Sequence, residues 1–188
     1  MLLVRTMTDD DADAVADAHV TSWQVGYRGV VPDEVLDDPG FRNGRLEGWR
    51  TGRWRTWAPG STVLVVEVHG DSDGGVVGFG HVGRERVDDG AAAGERGERG
   101  ERGERGEVYA FYLHPRAWGG GGATLLMTAC EHELRTRGLA DAVLWVLRDN
   151  RRGRGFYDKA GWTSTGRAGE FEVGGVTLAD VQYGRSLR

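Results

Sequence analysis

The chain is short of cysteine, of lysine and of long apolar runs, and each shortage closes off a class of protein. Cys130 is its one cysteine, so an intrachain disulfide and a cysteine-rich metal site are both excluded. The longest apolar run, AVLWVL at 142–147, falls far below the ~20 residues that a bilayer-spanning helix needs. The N-terminal stretch MLLVRTMTDDDADAV brings in acidic residues at once and has no signal-peptide pattern. The expectation is a cytoplasmic protein with no membrane partner. A basic surplus is also missing: the net charge is −5, against the basic balance of general nucleic-acid binders. Such an acidic balance attracts cationic small molecules weakly, through a field that salt screens. Lys159 is the only lysine among 24 Lys and Arg residues, which reads as the codon bias of a GC-rich genome.

What is present suffices for one compact domain: 188 residues, 39% of them hydrophobic. LLVR (2–5) reads as a first strand. Thr8 is placed to cap a helix whose start carries Asp9, Asp10 and Asp11, where negative charge is favoured. Ala12, Val15, Ala16, His19 and Trp23 then recur at helical spacing. A second helical region falls within 33–57, its limits blurred by glycines at 40, 44, 48 and 52. TVLVVEVHG (62–70) and GVVGFGHVG (75–83) read as an antiparallel pair joined by an Asp- and Gly-rich turn. Residues 85–106 contain most of a repeated Gly-Glu-Arg unit without an apolar member, so a flexible low-complexity insertion is expected there. EVYAFYLHP (107–115) follows as an aromatic-rich strand. A helix with Ala123, Leu126, Met127, Cys130 and Leu134 on one face runs to Gly138. The strand DAVLWVLRDN (141–150) has the apolar run of a parallel pairing. A short helix (151–161) and two strands, near 162–171 and 176–186, close the chain. The pattern predicts an α/β (α+β) domain spanning 1–188, with a mixed sheet of about seven strands and about four flanking helices.

Four consecutive glycines, Gly119 to Gly122, stand between a strand and a helix N-terminus. Such a junction suits an anion, because the first helical N–H groups lack internal partners and the helix dipole adds positive charge there. Glycine lets phosphate oxygens approach those amides. The Gly-Lys-Ser/Thr of a P-loop is absent, and the run does not fit a dinucleotide fold, which wants GxGxxG near the first strand and an acid about 20 residues on.

The stretch YLHPRAWGGGGATLLM, followed by LWVLRDNRRGRGFYDKAGW, resembles the GCN5-related N-acetyltransferase (GNAT) family. The acetyl-CoA loop of that family, Gln/Arg-x-x-Gly-x-Gly/Ala, corresponds to Trp118 through Ala123, with Trp118 in place of Gln or Arg. A second family motif matches Asn150, Phe156-Tyr157, Gly161 and Trp162. SWQVGYRGVVP (22–32) extends the resemblance over nearly the whole chain. It implies acetyl transfer from acetyl-CoA to an amine, by direct attack in a ternary complex and without a metal. It also implies that strand 107–113 splays from strand 142–148. Phe111, Tyr112 and Leu113 would then pair with the pantetheine arm, Leu113 N–H polarising the thioester. Gly119, Gly120, Gly121, Gly122, Ala123 and Thr124 would hold the pyrophosphate, and Asn150 the pantetheine.

The same resemblance casts Tyr157 as general acid, against a plain packing role, and Phe156 as core. Glu107 lies where histone-acetylating relatives carry their base, but it directly follows the Gly-Glu-Arg repeats and reads equally as one more solvated charge. Trp145 occupies the position where other relatives place a base, which removes that option. Of the histidines, His114 reads as a strand-end residue. His19 reads as a packed residue beside Trp23, with an acceptor-site base as the alternative. Cys130 reads as core. Trp23, Tyr27, Tyr109 and Trp49 are candidates for the acceptor pocket, since ring faces receive cations; most of the seven tryptophans read as core. A small-molecule amine is the expected acceptor. A protein or peptide amine and a catalytically silent acyl-CoA-binding module are the alternatives. A homodimer stays open, because oligomeric state leaves no mark in the sequence.

Overall fold

The computed structural model describes residues 1–70, 74–86 and 102–188. A seven-stranded sheet organises them in the order β1-β2-β3-β4-β5-β7-β6. Its strands are β1 (Leu2–Thr6), β2 (Thr62–Val68), β3 (Gly75–Arg86), β4 (Arg102–Leu113), β5 (Asp141–Leu147), β6 (Thr163–Val173) and β7 (Val176–Ser186). Every pairing is antiparallel except β4 with β5. The mixed sheet is therefore the expected one. Six helices accompany it among the described residues: α1 (Ala12–Gly26), α2 (Asp33–Leu36), α3 (Pro39–Arg50), α4 (Arg53–Trp57), α5 (Gly122–Thr136) and α6 (Arg151–Lys159).

The excess over four helices comes from 33–57, which breaks into three. Asp38 accepts from Gly40 N–H and Phe41 N–H with Pro39 at the first helical position, a fresh start within the region. Gly52, at φ +67°, ends α3 and opens α4. The expected insertion at 85–106 overlaps two strands. Glu85 and Arg86 belong to β3, and 102–106 belong to β4; the stretch 87–101 lies outside the described residues.

Both faces of the sheet are covered, which explains the unbroken apolar run of β2. Val63 and Val65 pack toward α1 and α3 with Val15, Trp49 and Phe79. Leu64 and Val66 face the other way, toward Leu126, Met127 and Cys130 of α5. Cys130 is fully buried, as a small core residue. A Cβ on Gly80 of β3 would lie 2.4 Å from its sulfur, so α5 reaches the sheet only because position 80 has no side chain.

The start of α1 is tied to the sheet by charge. Arg5 on β1 bonds Asp11 through both terminal nitrogens, at 2.6 and 2.9 Å, and also reaches Glu67 on β2. Asp11 further accepts from Thr8 N–H at 2.8 Å. The Arg5 hydrogen bond is the main reason its carboxyl is held down at about 2. A carboxyl depressed in the folded state adds stability above its unfolded pKa, and that stability disappears as pH falls through the folded value. The full shift corresponds to ~2 kcal/mol, reduced to about 1–2 kcal/mol because Arg5 is partly in water. Asp11→Asn is therefore expected to lose that amount at pH 7. It should also flatten the decline in stability between about pH 4 and pH 2, as urea titrations at several pH values would read.

Candidate active site

The parallel pair β4–β5 holds for three residue pairs only, Gly106↔Ala142, Glu107↔Val143 and Val108↔Leu144. Beyond Val108 the strands part. The cause is visible on the other edge of β4, where Ala110 faces His81 while Val108 faces Val82. Tyr109 is thus an extra residue, a bulge that bends the strand away from its neighbour. His114 N–H donates to Val77 O at 2.7 Å, and successive residues along a strand turn their polar groups to opposite edges. Leu113 and Phe111 therefore turn their N–H groups toward the opening. Tyr112 turns its own toward β3, so only its side chain serves the opening, a correction to the three-residue expectation.

A cavity of about 820 Å³ occupies the opening. Its lower wall is the glycine loop. Gly119 and Gly121 adopt φ of +80° and +83°, and an added Cβ at either would meet nothing within 4 Å. Leu125 is the first residue of α5 to donate back into the turn, to Gly121 O at 3.1 Å. The N–H groups of Gly122, Ala123 and Thr124 thus have no preceding helical carbonyl. Gly122 itself is buried against Leu113 and Val66. Trp118, in place of a polar residue, gives its indole N–H to Leu113 O at 2.9 Å and locks the loop to the end of β4. Arg152, at the start of α6, stacks on that ring at 3.9 Å.

Asn150 lies on the cavity wall but has a structural task as well. It caps α6, accepting from Gly153 N–H at 2.8 Å, and its amide reaches the Tyr27 hydroxyl at 3.4 Å. An Asn directly before a helix is the signal for that role. Tyr157 is buried among Phe111, Phe156 and Tyr183. Tyr157 borders the cavity, and its hydroxyl has no hydrogen-bond partner among the described residues. Burial raises its pKa above the ordinary tyrosine value, keeping the proton on. Phe156 stacks on Phe111 at 5.6 Å.

Glu107 is not brought to the cavity wall. It is 2% exposed, and its carboxylate accepts from Arg86 through the backbone N–H, Nε and Nη2. Glu107, expected as a base, is thus held by Arg86 away from the cavity where an acceptor amine would stand. His19 is likewise no base. Its Nδ1 accepts from the Trp49 indole at 3.3 Å, which leaves the ring proton on Nε2. It stacks on Tyr112 at 4.6 Å, and burial holds its pKa well below the ordinary value. His81, overlooked in the sequence, also borders the cavity. The Ser61 hydroxyl donates to Ala58 O, so His81 Nε2 must donate to Ser61, at 2.7 Å. Burial lowers the His81 pKa to about 3.

Trp23, Tyr27, Trp49 and Tyr109, the acceptor-pocket candidates, all border the cavity. The tryptophans depart from expectation, since six of the seven do so and Trp162 alone is purely core. Trp54, Trp57, Trp118 and Trp145 complete the six. Gly44 and Gly48, one turn apart on α3, also face the cavity, with open space where side chains would be. Among the described residues no group of His, Cys, Asp and Glu is arranged to hold a metal ion, and no helix is long and apolar enough to cross a membrane.

Comparison with known proteins supplies an independent reading. The chain is 28% identical over 187 residues to the uncharacterized N-acetyltransferase YuaI of Bacillus subtilis (strain 168), covering 98% of this chain and 92% of that one. It shares its fold with PaiA N-acetyltransferase of Thermoplasma acidophilum, solved in complex with coenzyme A. That pair is 17% identical with a TM-score of 0.70, over 99% of both chains. The yncA protein of Salmonella typhimurium, solved with its cofactor acetyl-CoA, is 19% identical with a TM-score of 0.64, covering 100% of this chain and 95% of that one. The sequence profile of the acetyltransferase (GNAT) family matches residues 27–162, from the end of α1 through the bulge, the glycine loop and α6. By that match, over most of its length, the chain belongs to the GNAT acetyltransferase family.

Proposed function

We propose that this N-acetyltransferase moves the acetyl group of acetyl-CoA to the primary amine of a small molecule, by direct attack with both substrates bound. The observation that carries the reading is the opening beside β4, where Phe111 and Leu113 turn their amides to an edge with no strand on it. A pantetheine arm fits there as an added strand, and the bare amides of Gly122, Ala123 and Thr124 fit its pyrophosphate. PaiA and yncA were solved with coenzyme A and acetyl-CoA respectively, which supports that placement.

In this scheme Leu113 N–H polarises the thioester carbonyl. The amine nitrogen forms the new C–N bond as the C–S bond breaks, and Tyr157 O–H stabilises the departing sulfur. The proton leaves the amine to cavity water, since Glu107 and His19 are otherwise engaged. A small acceptor is favoured by the aromatic enclosure of the far end, built from Trp23, Tyr27, Trp49 and Phe171. Screening primary amines and peptides for thiol release from acetyl-CoA tests this. Turnover of peptides alone would move the acceptor to the protein class, and release from none would defeat the reading.

The loop assignment has its own test. Gly121→Val puts a branched side chain at φ +83°, a conformation costing an L-residue roughly 1–2 kcal/mol, and sets bulk beside the open amides. Affinity for acetyl-CoA is expected to fall about tenfold or more. Calorimetry showing unchanged affinity would refute the loop as the pyrophosphate site.

A further inference from the structure

Four arginines border the cavity: Arg45, Arg53, Arg86 and Arg152. Arg53 and Arg152 are exposed to water, and Arg86 is neutralised by Glu107. Arg45, on α3, is neither. It is half-buried, and no carboxylate or hydrogen-bond acceptor among the described residues pairs with it. Its close partners are ring faces, with Phe41 5.1 Å and Trp23 5.6 Å from the guanidinium carbon. A ring face attracts the cation without offering a lone pair, so the donors of its N–H fork still lack an acceptor.

The place of Arg45 matters as much as its lack of a partner. Trp23 continues to Tyr112 at 6.4 Å and to Tyr27 at 4.7 Å, so the cation stands at the acceptor end, a ring away from the opened strand. Gly44, its neighbour on α3, and Gly48 leave the space beside it open. Asp180 is the only carboxylate among the described wall residues, so the wall carries more positive than negative charge. Such a wall is unsuited to a polycation and suited to an acceptor that brings its own anion.

We propose that Arg45 binds a carboxylate carried by the acceptor, making the substrate an amino acid or a close analogue rather than a polyamine or a plain alkylamine. This deepens the acetyl-transfer reading and rests on it. The planar fork of arginine matches a carboxylate with two parallel hydrogen bonds, which fixes orientation as well as affinity. A nearby cation also disfavours the ammonium form of the acceptor, helping to supply a neutral nucleophile where no side chain is free to take its proton.

The test is thiol release from acetyl-CoA with the common L-amino acids, each set against its methyl ester and its decarboxylated amine. For the accepted side chains, kcat/KM is expected to favour the free acid by about 10- to 100-fold, the range for a charge-assisted hydrogen bond. In Arg45→Met, which keeps a long apolar stem against Trp23 and Phe41, that preference should collapse toward unity. Arg45→Lys, with charge but no fork, should restore part of it. Esters or plain amines turned over as well as the acids, or a preference surviving in Arg45→Met, would overturn the proposal. So would acetylation of none of the acids by protein that still binds acetyl-CoA, an outcome that leaves acetyl transfer itself standing. Absence of acetyl-CoA binding would instead remove the transfer reading beneath it.

Discussion

Tyr157→Phe is expected to lower kcat between about 10- and 100-fold while leaving acetyl-CoA affinity and thermal stability unchanged. The size follows from acid strengths. A phenol held above its usual pKa of ~10 is a weaker acid than a thiol of pKa ~8.5, so complete proton transfer to the departing sulfur is uphill. What the hydroxyl supplies is a hydrogen bond that strengthens as negative charge gathers on sulfur, and bonds to charged groups contribute ~1.5–3 kcal/mol. Steady-state kinetics and calorimetry on one preparation separate this from a packing role. The ring of Phe keeps the contacts with Phe111, Phe156 and Tyr183, and the hydroxyl it omits bonds no described residue. Full activity in the variant would take Tyr157 out of the chemistry.

How much of this was legible in the sequence depended on distance along the chain. The glycine loop could be read because its cause is local: a strand end, Gly119 and Gly121, and a helix start within a few residues. The β2–β3 hairpin, the parallel β4–β5 pair and the capping glycines Gly138 and Gly161 have local or periodic signatures as well. Pro39 after Asp38 was an equally local signal that 33–57 breaks, but the four-residue spacing of the glycines obscured it. At 44 and 48 those glycines leave open space beside the cavity.

The site residues read differently are those fixed by long-range contacts. A bulge at Tyr109 leaves no period to detect, so the division of labour between Phe111, Tyr112 and Leu113 follows only from the register. Apolar rings are usually buried, which is why a sequence rich in tryptophan reads as a packed core. Here the cavity is cut into the core, and the same rings are buried on one side and line the opening on the other. Arg45 has no sequence signature at all, since an unpaired cation is defined by what fails to come near it.

Glu107 is the sharpest case, and replacing it separates its two readings. As a base it would govern rate; as the partner of Arg86 it governs stability. Its side chain is 3% exposed and that of Arg86 is 13% exposed. Removing one member of a buried pair leaves the other charge without compensation, at a cost of about 3–5 kcal/mol. Glu107→Ala is therefore expected to lower Tm by roughly 6–20 °C for a chain of this size, while kcat per folded molecule stays near the parent value at low temperature. Arg86→Met in the same background should recover much of the lost stability, because the stranded guanidinium is gone and an apolar stem can still lie against Trp57 and Tyr109, over which the guanidinium now stacks. A Glu107→Ala protein that melts like the parent but has lost its rate would return the carboxylate to the chemistry and break the link between its burial and its role.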